Sequence, residues 1–137
     1  QTLFRGMPAN VSVAYIGEVH PRDVRHTLAQ HDLFLLPTRG ENYGHVIHEA
    51  LTAGLPVLIS DETPWRDLED HGLGWALPLA GPAAFAAAID TVAAWTPDKA
   101  EEVSVKAYEY AVAHSTNQQV IDANRALFAT VLNMDSR

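Results

Sequence analysis

The chain has 137 residues, 47% of them hydrophobic, which is enough to build one core and leaves no room for a second domain. Its formal net charge is −8, and only two of its nine basic residues are lysines, both in the C-terminal third, a balance that argues against nucleic acid or an anionic membrane surface as the main partner. The absence of cysteine removes disulfides, thiolate zinc sites and thiol nucleophiles, and no uninterrupted apolar run approaches the ~18 residues of a membrane span.

In chain order, Val11 to Ile16 is rich in β-branched residues and predicts a first strand, and Pro21 suits the first position of a helix running to about Gln30. Leu33 to Leu36 is a short apolar run that reads as a second, buried strand. Gly44 to Ala53 predicts a helix with an apolar stripe of Val46, Ile47, Ala50 and Leu51, ending on Gly54 with Pro56 just beyond; His45, His48, Glu49 and Thr52 take another face. Pro56 to Ser60 is a third strand, Thr63 is placed to cap a short helix opened by Pro64, and Trp75 to Leu77 is a fourth strand. Three helical stripes follow: Phe85, Ala88, Ile89 and Val92; then Val103, Ala107 and Tyr110; then Val120 to Leu132 after Ser115 or Thr116 as cap. There is no internal repeat, no low-complexity linker and no domain boundary.

Strands separated by single helices imply right-handed parallel crossovers, hence an α/β fold with an open parallel sheet, Rossmann-like, and helices on both faces. Ligands in such sheets bind outside the carboxyl ends of the strands. That rule selects three loops, Gly17 to His20, Pro37 to Tyr43 and Asp61 to Pro64, which are expected to lie side by side. The second of them opens the run Pro-Thr-Arg-Gly-Glu-Asn-Tyr-Gly-His from Pro37 to His45, and it sets two carboxylates, Glu41 and Glu49, eight residues apart. One sits in a glycine-containing loop and the other on the helix that the loop opens, a layout suited to holding a polyol and a phosphate together.

The segment from Phe34 to Leu79, with Leu-Pro-Thr-Arg-Gly-Glu-Asn-Tyr-Gly-His, Glu-Ala-Leu-Thr-Ala-Gly-Leu-Pro-Val and Thr-Pro-Trp, resembles the donor-binding half of retaining, family-four glycosyltransferases of the GT-B fold. With the strand at Val11 to Gly17 the likeness covers most of the chain up to Leu79. It implies the C-terminal half of a GT-B fold and a nucleotide diphosphate sugar as ligand. The implied reaction is transfer of the sugar to an acceptor hydroxyl with retained anomeric configuration, without a metal or other cofactor.

By the same resemblance Glu41 reaches hydroxyls of the donor sugar and is the catalytic candidate, and Glu49 grips the ribose. A carboxylate suits a polyol because it accepts several charge-assisted hydrogen bonds, each worth roughly 1.5 to 3 kcal/mol. The rival reading of either residue is a solvated surface acid. Gly44 lets a ligand approach bare backbone, and the amides of Tyr43, Gly44, His45 and Val46, next to Asn42, point unpaired N–H groups toward sugar and phosphate. Gly17, Glu18 and Val19 follow the first strand, where the resemblance lays the nucleobase against backbone; an ordinary loop is the alternative. Arg39 and Arg66 are basic side chains near the rim, read as surface arginines. The spacing of His45, His48 and Glu49 would allow a metal, but the His-Glu-x-x-His order is absent and no metal is expected. Trp65 and Trp75 are read as core anchors.

The chain also departs from the resemblance. A complete enzyme has two similar domains with the active site between them, and this sequence supplies one. The basic Arg/Lys pair that meets the leaving diphosphate has no replacement here. The expectation is therefore the C-terminal part of a longer protein, lacking the acceptor-binding N-terminal domain and inactive alone; the start at Gln1 rather than Met leaves room for a targeting signal ahead of it. A cytoplasmic location is expected. A non-catalytic nucleotide-sugar binding module is the alternative function, and a nucleotide-sugar epimerase of the same fold a weaker one.

Overall fold

A computed structural model describes residues 7–115. Helix α1, Pro21–Leu28, begins where proline fixes φ and His20 caps it, the imidazole Nδ1 accepting the N–H of Arg22 at 3.3 Å. Strand β1, Phe34–Leu36, leads through a loop to α2, His45–Thr52, and then to β2, Val57–Ser60. Strand β3, Gly74–Leu77, completes the sheet, and α3, Pro82–Ala93, and α4, Pro97–Ser115, follow.

The sheet is open and parallel in the order β1-β2-β3, with Phe34 opposite Val57 and Val57 opposite Gly74. Every residue of the central strand β2 is buried, as a parallel strand covered on both sides requires. Gly74 is necessary in that register: its φ is +139°, and a Cβ there would run into the backbone carbonyl of Val57.

The core forms where α2 meets the strands on one side and α4 on the other. Ile47, Ala50 and Leu51 of α2 cluster with Val57 and Ile59 of the sheet and with Ala107 and Ala111 of α4, all fully buried. The alanines let the two helices approach closely, and each buried Leu or Ile contributes about 1.5 to 3 kcal/mol. Gly54 ends α2 in the left-handed region at φ +82°, packed so tightly on Ser104 that a Cβ would overlap its hydroxyl.

Two expectations from sequence are corrected here. Residues 11–16 form no strand: Val11, Val13, Tyr15 and Ile16 are 44, 45, 90 and 66% exposed, and among the described residues no backbone ladder joins them to the outer edge of β1. A strand needs a hydrogen-bonding neighbour, which alternation of side chains does not supply. The helix expected after Thr63 is a succession of turns instead, because Trp65 and Leu68 both enter the core and so short a helix is marginal without continuous packing. Thus no helix separates β2 from β3. The third helical stripe, Val120 to Leu132, lies outside the described residues.

Candidate functional site

Because the strands are parallel, the loops after β1 and β2 emerge at the same end of the sheet, and hydrogen bonds join them. Ser60, fully buried at the end of β2, donates its Oγ–H to the carbonyl of Thr38 at 2.5 Å. Trp65, 4% exposed, donates its indole N–H to the carbonyl of Tyr43 at 2.6 Å. The loop between β1 and α2 therefore hangs between two fixed points. Inside it the Thr38 hydroxyl donates to the carbonyl of Gly40 and accepts the Gly40 N–H, which closes a tight turn just ahead of Glu41.

Gly44 closes the loop and opens α2 in the left-handed conformation, φ +75° and ψ +54°. A Cβ at this position would stand 2.7 Å from Ile47 Cδ1, 3.1 Å from Trp65 Nε1 and 3.3 Å from Glu41 Cγ, so both backbone angle and space favour glycine. The Gly44 carbonyl accepts from the N–H groups of Ile47 and His48, whereas no hydrogen bond among the described residues uses the N–H of Gly44, His45 or Val46. The start of α2 thus presents free donors at the positive end of its dipole.

Glu41 and Glu49 are exposed, and neither carboxylate has a hydrogen bond or ion pair among the described residues. Asn42 and His45 are exposed, with the His45 ring 4.7 Å from that of Tyr43. Tyr43 and Val46 are half-buried against the core, so what they offer a ligand is backbone. Gly17, φ +74°, is exposed and crowded by nothing, while Val19 lines an apolar hollow with Leu33, Phe34 and Leu35. Among the described residues hydrogen bonds join the second and third of the expected loops, and none ties the Gly17–His20 loop to either.

A layer of rings lies behind the joined loops. His114 sits 4.8 Å from Trp65 and stacks on Tyr110, and Tyr43 meets Trp65 edge-on at 6.0 Å. Tyr43, Trp65, Arg66, Tyr110 and His114 border a pocket of about 420 Å³ beside the loop. The Tyr110 hydroxyl donates to the Asp67 carboxylate at 3.0 and 3.1 Å; burial first, then the bond and charge of Asp67, push the phenol up to about 12. A larger pocket of about 650 Å³ opens at the opposite end of the sheet, against Leu33, Leu55, Pro56 and Trp95, away from the carboxyl ends of the strands.

His48 shares a helix face with the exposed His45 and Glu49 but not their exposure. It is half-buried, and its Nε2 lies 2.6 Å from Ser115 Oγ and 3.1 Å from the carbonyl of Ala111, tying α2 to α4. Among the described residues no three His, Asp or Glu side chains are placed to hold a metal, and no helix is long and apolar enough to cross a membrane. Sequence reasoning missed Ser60 and Trp65 as holders of the loop. The one available signal was a polar residue ending an otherwise apolar strand, Val-Leu-Ile-Ser.

The family model for glycosyl transferases group 1 matches residues 3–94. No curated protein and no solved structure matches the chain.

Proposed function

The chain belongs to the glycosyl transferases group 1 family, and on that premise we propose that its loop–helix junction at residues 37–49 holds a nucleotide diphosphate sugar for transfer, with retained configuration, to an acceptor hydroxyl. The observation that carries this reading is Gly44: a left-handed glycine, close to Glu41, whose helix entry has N–H groups that no described residue takes, on the helix that carries Glu49. The helix end carries about half a positive charge, which favours the diphosphate before transfer and more so as the sugar departs. Glu41 holds hydroxyls of the donor sugar at the reacting centre, and Glu49 accepts from the ribose. The backbone of Gly17 to Val19 receives the base, and Asn42, Tyr43, His45 and Val46 complete the wall. Arg39, exposed and unpaired among the described residues, is free to approach the phosphates.

The test is a titration of two ligands into two variants. Glu49→Ala should weaken a nucleoside diphosphate, which has ribose but no donor sugar. Glu41→Ala should leave that ligand nearly unchanged and weaken the nucleotide sugar. Loss of a charged hydrogen-bonding partner costs about 1.5 to 3 kcal/mol, roughly ten- to a hundredfold in affinity. Equal losses for both ligands in both variants would refute the division of roles, and no loss in either would return the pair to solvated surface acids.

A further inference from the structure

We infer that Trp65 is a positioning residue that aims the Gly44 N–H at the bound ligand, an inference that rests on the donor-site reading above. A peptide unit is planar, and in the trans form its C=O and N–H point in opposite directions; no peptide bond among the described residues is cis. The carbonyl of Tyr43 and the N–H of Gly44 belong to one such plane. By drawing the Tyr43 carbonyl toward itself at 2.6 Å, the Trp65 indole turns the Gly44 N–H to the opposite side of the peptide plane, where no described residue takes it.

The indole is itself fixed from several sides. Thr63 Oγ1 accepts the Trp65 backbone N–H at 3.3 Å, and Pro64 restricts the chain just before it. The ring is packed by His114 at 4.8 Å, Tyr43 at 6.0 Å and His48 at 6.2 Å. A swing of the side chain would open the core, so the direction of its N–H is set by packing. The peptide plane inherits that direction.

Trp65→Phe keeps an aromatic ring and removes the donor. UDP, GDP and ADP are titrated in parallel into the chain and the variant, with Glu49→Ala alongside. The tightest binder should lose about tenfold in affinity to the variant at a temperature where both are folded. The ¹⁵N–¹H signal of Gly44 should move and its exchange quicken, while amides in the second turn of α2 stay as they were. A purely structural tryptophan would lower Tm with affinity and the Gly44 amide unchanged, and that result overturns the inference. If Glu49→Ala weakens binding and Trp65→Phe does not, the inference fails while the donor site stands; if none of the three nucleotides nor a nucleotide sugar binds the chain, the donor-site reading falls and takes the inference with it. Should Trp65→Phe not fold, the unaltered chain decides: on saturation with the tightest binder the ¹⁵N–¹H signal of Gly44 should move further than those in the second turn of α2, and an unmoved Gly44 signal overturns the inference.

Discussion

Residues 11–20 and residues 37–46 suggest the same thing to a reader of the sequence, a strand that delivers a ligand loop, yet they end in opposite physical states. The later segment is held at the carbonyls of Thr38 and Tyr43 by two side chains, one ending β2 and one in the loop after it, each 22 residues away. The earlier one keeps Val11, Val13, Tyr15 and Ile16 in water and forms no ladder with β1 among the described residues. Alternation of β-branched residues belongs to a single segment, whereas a strand is a property of two. What makes residues 37–46 definite is supplied from elsewhere in the chain.

The largest effect that can break this contrast lies in the packing beneath the held loop. Leu51→Ala, at a fully buried site, should cost about 2 to 5 kcal/mol in denaturant unfolding, and Tyr15→Ala no more than ~0.5 kcal/mol. Similar costs for the two would mean that the earlier segment is packed. A matched pair of glycines sharpens the point. Gly44→Ala should cost about 1 to 3 kcal/mol, since its left-handed backbone cannot relax beside the fixed Tyr43 carbonyl and its Cβ meets Ile47. Gly17→Ala, at nearly the same φ but with open space around it, should cost less than about 1 kcal/mol because an unheld loop can change its angle. Reversal of that order would show the Gly17 loop to be the more constrained.

The smallest effect concerns the ring layer behind the held loop. With its phenol raised to about 12, Tyr110 favours the neutral form in the folded chain, so its contribution is complete below pH 10 and lost as pH rises from 10 to about 12. Because the residue is only half-buried, that contribution is no more than about 1 kcal/mol. Melts between pH 9 and 12 should show the unaltered chain losing more stability than Tyr110→Phe. Parallel losses would leave the Asp67 contact without energetic meaning.

The elements carrying strong periodicity were legible: α2 with Ile47, Ala50 and Leu51 inward, the apolar β2, and the stripe Val103, Ala107 on α4. So was the shared end at which the loops after β1 and β2 emerge, because the strands are parallel. Trp65 was legible as a core residue from its type, but not as the holder of Tyr43, since nothing in the local sequence names a carbonyl 22 positions earlier. The role of His48 was hidden for the same reason. Helical spacing puts it beside polar neighbours, and only the arrival of α4, with Ala111 and Ser115, makes it a link between helices.

The hydrogen bonds from Ser60 and Trp65 also decide what can be transplanted. An engineer wishing to vary this site by exchanging loops would take the ten residues from Pro37 to Val46 as the cassette. Moved alone, that stretch would leave both of its anchors behind in the donor scaffold and arrive without a defined shape. The smallest portable module runs from Phe34 to Trp65, a complete β-loop-helix-β unit with its own fasteners, and variation within it is modular only at positions such as Arg39, Glu41 and Asn42 that face outward between them.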